Sequence, residues 1–295
     1  MSIFNNNSFQ NDSLKNKAFI IFQYLAPQHL LSRTIGWFAD CEIESVKNFL
    51  IKHFINHFNV NMAEAVEPDF QKYQSFNKFF TRALADGMRT IAEGNCVISP
   101  ADGAISQLGH IQDGRIFQAK GQHYSAVELL GGNKTLANHF TNGTFATIYL
   151  SPRDYHRVHA PISGSLSDMI YVPGDLFSVN ATTANHVPRL FARNERLITV
   201  FDTEIGKVAV ILVGAMIVAG IETVWAGQIA PAAKNTITLF EKNPKAIHLQ
   251  KGDELGRFKL GSTVILLFEN NRVCLNENLS AATPLQMGDK LAEIN

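Results

Sequence analysis

From Cys96 to Glu269 the chain repeats one texture: short β-prone pieces separated by Gly, Pro, Asn and Asp. The pieces are Cys96–Ile98, Gly103–Leu108, Thr144–Leu150, Leu166–Val172, Arg196–Asp202, Lys207–Ile221, Glu222–Ile229 and Ser262–Glu269. Val, Ile, Thr and aromatic side chains suit a pleated, half-buried surface, and turn residues at this spacing mark the strand ends. Nothing between them suggests strands alternating with long helices. The expected fold class is α+β: N-terminal helices, then a mainly antiparallel β core that includes the strand after Ser262.

Residues from about Leu14 to Phe58 read as helices, with Pro27 breaking the pattern. Val46, Leu50, Phe54 and Phe58 recur at four-residue intervals with Phe49 beside them, which predicts one apolar stripe. Phenylalanine and Trp37 are in excess over what a short helical segment needs for its own packing. Two uses are open: the faces pack on the rest of the protein, or they form a surface that inserts into a lipid interface. Ser75 is placed to cap a helix over Phe76–Arg82. The polar connection from Asp86 to Asn95, where the texture changes, is where a domain boundary is expected.

The 295 residues suffice for a well-buried core. Lys+Arg and Asp+Glu are equal at 26 each, so no overall field selects nucleic acid. Cys41, Cys96 and Cys274 lie far apart, against a disulfide framework or a thiolate zinc site and in keeping with a reducing compartment. No signal peptide is expected, and the uncharged run Val208–Ile221 is too short to span a membrane.

Three stretches concentrate polar groups. Ser99-Pro100-Ala101-Asp102-Gly103 puts a carboxylate at a strand entrance, where an Asx-type turn is the plain alternative. Ser151 to Pro161 packs His156, His159, Arg153, Arg157, Asp154 and Tyr155 between two prolines. Leu260-Gly261-Ser262-Thr263 precedes the apolar run Val264–Phe268, and a hydroxyl beside an unshielded glycine carbonyl can attack it if a base is near. A hydroxyl, an imidazole and a carboxylate suffice for nucleophilic chemistry: Ser262, one of His156 and His159, and Asp102 or Asp154. No third ligand joins the two histidines, so no metal is expected.

In order along the chain, Phe76–Arg82, Pro100–Gly103, Ser151–His159, Tyr171–Asn180, Phe191–Arg196, Glu222–Gly227 and Leu260–Thr263 resemble the bacterial phosphatidylserine decarboxylases, the pyruvoyl-dependent prokaryotic type I proenzyme family. The resemblance implies a helical membrane-associating segment over 1–60 and a β-rich catalytic domain over 61–295. It implies self-cleavage between Gly261 and Ser262, giving a β chain (1–261) and an α chain (262–295) that stay together as a heterodimer, with a dimer of heterodimers allowed. Asp102, His159 and Ser262 are implied as the charge relay for the cut, and Ser262 as the precursor of a covalent pyruvoyl cofactor. That group forms a Schiff base with phosphatidylserine, and loss of carbon dioxide gives phosphatidylethanolamine; His156 is the candidate proton donor. The implied partner is phosphatidylserine in the bilayer, met peripherally on the cytoplasmic side of the cell membrane. Arg153, Arg157, Arg193 and Arg196 are available for the phosphate, without a choice among them. A serine hydrolase using Ser262 and a non-catalytic lipid-binding protein are the competing readings from the residues themselves.

Overall fold

The computed structural model describes residues 6–216, 220–230, 236–240, 247–259 and 262–295. Leu260 and Gly261, on the N-terminal side of the expected cut, lie outside the described residues. Pro27 acts as the sequence predicts: α1 (Asn6–Leu25) ends before it and α2 (Gln28–Ala39) begins after it. A third helix, α3 (Glu44–Phe58), closes on Asn59 in the left-handed conformation. The short α4 (Phe76–Phe80) starts at Ser75, whose Oγ accepts from the Lys78 N–H at 3.3 Å.

The predicted stripe of α3 divides in two. Leu50, Phe54 and Phe58 pack with buried Ile51 against Phe76, Phe79 and Phe80 of α4, with the Phe54 ring 5.1 Å from that of Phe76. Phe49, one residue off that face, is 69 % exposed. In α2 the usual amphipathy is inverted. Its buried residues are Ser32, Gly36 and Ala39, while Leu30 and Trp37 are 64 % and 70 % exposed. Seven residues apart, those two lie on one helix face. No helix among the described residues is long and apolar enough to cross a membrane.

The β core holds one large sheet. In spatial order it runs Thr238–Leu239, Gly164–Val172, Arg196–Thr203, Gly206–Val213, Ser262–Phe268, Thr144–Leu150, Gly103–His110 and Pro284–Leu285, with His248–Leu249 paired beside the second. A smaller sheet takes Gly227–Ala230, Ile221–Thr223, Glu254–Phe258 and Arg157–His159. Cys96–Ile98, Lys290–Ile294 and Val273–Leu275 make a third, and Arg115–Ala119 pairs with Gln122–Ser125. The pairings of these strands are antiparallel, so the α+β expectation holds.

Ser262–Phe268 is an interior strand, bonded to Thr144–Leu150 on one side and Gly206–Val213 on the other, and buried at every position. Its continuous Val264–Phe268 run is what a strand covered on both faces requires. The predicted strand Lys207–Ile221 is shorter than expected: it stops at Val213, and the next described strand is Ile221–Thr223. Gly214 instead donates its N–H to the Glu195 carbonyl at 2.8 Å, which leaves the ladder of the central strand.

Candidate active site

The two polar stretches flanking the expected cut are brought together by pairing. Ser262 opens the central strand opposite Leu150, and Leu150 leads into the loop carrying Asp154, Tyr155 and His156. That loop continues into Arg157–His159, which pairs with Glu254–Phe258, the strand just before Ser262. The Phe258 N–H donates to the His156 carbonyl at 3.0 Å. Chain on both sides of the histidines is therefore locked to chain on both sides of the cut.

Ser262 is 0 % exposed, and among the described residues its Oγ has no hydrogen-bond partner; the Oγ1 of neighbouring Thr263 is in the same state. His156 is also fully buried, under the Phe80 ring at 4.1 Å. Its Nδ1 lies 2.8 Å from the Asp154 carbonyl, which can only accept, so Nδ1 carries the proton and Nε2 is a bare lone pair. That Nε2 is buried without a partner. Leaving a buried polar atom unpaired costs about 1–3 kcal/mol. Each such group in a folded chain calls for an explanation, and a site kept for chemistry is one.

His159 sits three residues on. Its Nδ1–H donates to the Gly252 carbonyl at 2.7 Å, and its Nε2 accepts from the Tyr155 hydroxyl at 3.0 Å. Burial lowers its pKa, opposed by the Gly252 bond and by the charges of Glu254 and Asp102. Asp102 reaches this neighbourhood because the His159 N–H donates to the Pro100 carbonyl at 2.8 Å. Gly103 next to it must be glycine, since a Cβ there would run into the Tyr149 carbonyl oxygen.

The Asp102 carboxylate is engaged elsewhere in this arrangement. It accepts from the Met287 N–H at 2.8 Å and from Nε of Arg89 at 2.9 Å, and Nη2 of Arg89 bridges it to Glu64. Of the predicted relay, then, Asp102 and His159 share a neighbourhood while each ring nitrogen and carboxylate oxygen named here bonds to another group. Tyr155 stood in the polar stretch the sequence marks, whereas Arg89 and Gly252 are not marked by it. Nothing local in the Asp86–Asn95 connection marks Arg89 as a partner of Asp102.

The buried imidazole makes a pH prediction. Burial, aided by the positive charge of Arg82, presses the His156 pKa from 6.5 to about 3. Between those values the unfolded chain holds one more proton. Stability present above about pH 6.5 is therefore lost as the pH falls, by up to about 1.4 kcal/mol per pH unit. His159 acts in the same sense, whereas Asp154 and Glu195, whose carboxyls burial raises, act oppositely. Comparison with His156→Gln isolates the one group. In denaturant unfolding of uncut Ser262→Ala chains between pH 7 and 4, the parent should lose more stability than the Gln variant. Parallel profiles would show that His156 is not desolvated.

Comparison with known proteins defines the class. A family model described as phosphatidylserine decarboxylase matches residues 76–293, and a second, described as PSD, matches 18–59. The chain belongs to the phosphatidylserine decarboxylase family. It is 58 % identical over 283 residues to a protein of Pseudomonas aeruginosa (strain LESB58) named phosphatidylserine decarboxylase proenzyme, covering 95 % of this chain and 98 % of that one. Proteins of the same name from Pseudomonas entomophila (strain L48) and Stutzerimonas stutzeri (strain A1501) are 56 % and 54 % identical, each over 95 % of this chain and over 98 % and 95 % of their own lengths.

Proposed function

We propose that this chain is a self-processing decarboxylase of phosphatidylserine. The observation that carries the reading is a fully buried serine hydroxyl without a partner among the described residues, at the head of a central strand whose neighbouring chain is paired to the segment carrying both histidines, in a chain of this family. The Ser262 oxygen attacks the Gly261 carbonyl, and the peptide becomes an ester as the amide nitrogen leaves protonated. Loss of the Ser262 α-proton then expels the Gly261 carboxylate and leaves a dehydroalanine, which tautomerises and takes up water to release ammonia. Burial suits this sequence, because water that reached the ester too early would hydrolyse it to an ordinary serine terminus. His159 is the proposed base for the attack and Asp102 its orienting carboxylate, supported by the tether through Pro100 and by Asp102 favouring a protonated His159.

A pyruvoyl group at residue 262 fits the chain, since its precursor is the hydroxyl left unpaired there. Such a ketone supplies an electrophile for the substrate amine and a sink for the electron pair released with carbon dioxide. His156 Nε2, unprotonated in this arrangement, accepts a proton from the substrate ammonium and returns it to the α-carbon after the carboxylate has left. Denaturing electrophoresis with a carbon dioxide assay on phosphatidylserine micelles tests the whole reading. A serine hydrolase would instead be labelled by a fluorophosphonate, and a mere lipid-binding protein would release no carbon dioxide.

The inverted helix supports attachment to the bilayer. Leu25, Leu30, Trp37 and Phe49 stand 64 to 79 % exposed on α1, α2 and α3, which suits insertion among lipid chains. We place the enzyme peripherally on the cytoplasmic side of the membrane, as its resemblance implies, with its cut chains held together by the strand pairing around residue 262. Because α3 packs under α4, removing residues 1–58 would strip the core around Phe79 along with the surface. Replacing Leu30, Trp37 and Phe49 by serine spares that core and should weaken binding to phosphatidylserine vesicles by at least about tenfold. Added salt should do much less, because the attachment is apolar. Strong release by salt, with little effect of the substitutions, would overturn this view.

A further inference from the structure

A cavity of about 310 Å³ lies against the site, its wall including Arg82, Arg89, Arg153, Asp102, Asp154 and Tyr155. Its three guanidinium groups differ in what they already hold. Arg89 is fully engaged by Asp102, Glu64 and the Met88 carbonyl. Arg153 is mostly exposed and only 3.8 Å from an Asp154 oxygen. Arg82 is 4 % exposed, yet among the described residues its Nε and Nη1 have no acceptor. Its Nη2 makes a long bond to the Arg153 carbonyl at 3.3 Å, and its guanidinium carbon lies 5.5 Å from the Phe79 ring centre.

A buried arginine that serves only the fold is normally saturated, as Arg196 is, and the half-buried Arg157 and Arg193 are tied down as well. Arg196 donates to the carbonyls of Leu129, Asn194 and Glu128. Arg157 is tied to the Thr81 carbonyl and Glu254, and Arg193 to Asp175. Three of the four arginines that the sequence offers as phosphate ligands are therefore committed to structure. Arg82 keeps its charge when buried, and although the carboxylates of Asp102, Glu64 and Asp154 act on it through space, none bonds to its Nε or Nη1, which leaves those two donors for an anion.

We propose that Arg82 is a specificity-determining residue that binds the phosphodiester of the substrate headgroup in this cavity. Identification of the anion with the headgroup rests on the decarboxylase reading; the anion site itself does not. A phosphodiester keeps its charge at any physiological pH and offers oxygens that a guanidinium recognises better than an ammonium does. The substrate's carboxylate is the poorer occupant, because a guanidinium holding it would stabilise the very group that must leave as neutral carbon dioxide. Arg82 also adds to the burial that keeps His156 unprotonated, so a bound anion would offset that charge and ease proton pick-up at Nε2.

The test titrates full-length Ser262→Ala protein with inorganic phosphate, glycerophosphoserine and L-serine by calorimetry, alongside Arg82→Gln and Arg82→Lys in the same background. Phosphate and glycerophosphoserine should bind and L-serine should not. Arg82→Gln should lose about tenfold or more in both affinities, and Arg82→Lys less. In the processed enzyme Arg82→Gln should raise KM for phosphatidylserine about tenfold. Equal phosphate affinity in a folded Gln variant overturns the proposal. So does a Lys variant that binds like its parent when the Gln variant does not fold, or phosphate binding without glycerophosphoserine binding. Arg82-dependent binding in a chain that never decarboxylates would keep the anion site and sink the decarboxylase reading. An active enzyme indifferent to Arg82 would do the opposite.

Discussion

Purified Ser262→Ala protein will run as one chain of 295 residues and release no carbon dioxide from phosphatidylserine, whereas the parent will run as two chains, 1–261 and 262–295. The expected loss is complete, because the side chain removed is at once the nucleophile that opens the backbone and the source of the ketone on which decarboxylation depends. Stability should change little or improve. Alanine at a fully buried position whose hydroxyl has no partner removes an unsatisfied polar atom, worth about 1–3 kcal/mol, while leaving the strand pairing with Leu150 in place. An alanine variant that is still cut would assign the reaction to another residue.

The two histidines should separate by the step that fails. His159→Ala should leave the chain uncut, since removing a positioned base costs about 10²–10⁴ in rate and the backbone attack has no other help. His156→Ala should be cut and then decarboxylate about 10²–10⁴ more slowly. Glycerophospholipid binding should persist in both. The specific competitor is a reversal of roles. His156 Nε2 and Ser262 Oγ are both buried and both unpartnered, while His159 Nε2 is occupied by Tyr155. An uncut His156→Ala chain beside a cut His159→Ala chain would make His156 the base and reduce His159 to the Tyr155 and Gly252 contacts it makes here.

What the sequence conveyed depended on whether the signal was local. Strands buried on both faces read directly from Val/Ile runs, so Thr144–Leu150 is found with the expected bounds and Ser262–Phe268 one residue shorter. Pro27 and Ser75 each act within one turn of helix, and both behave as their chemistry dictates. The α3 stripe was legible as apolar, but its division between a core under α4 and an exposed Phe49 depends on a helix that begins 18 residues after α3 ends. Arg89 gave no signal because its partners, Glu64 and Asp102, lie 25 and 13 residues away. Arg82 stood inside a recognised segment, and only the burial of its vacant nitrogens distinguishes it from the saturated Arg157 and Arg196. Proton positions were beyond any sequence reading: a backbone carbonyl two residues before His156 decides which of its nitrogens is bare.

The central claim is that the bond between Gly261 and Ser262 cuts itself and leaves a ketone on the new terminus. The intact mass of the freshly purified active protein tests it most directly. The account predicts two masses, one for residues 1–261 and one for 262–295, the smaller lighter by one ammonia than a peptide beginning with serine. A single mass of 32.7 kDa in a preparation that decarboxylates phosphatidylserine at full rate would contradict it.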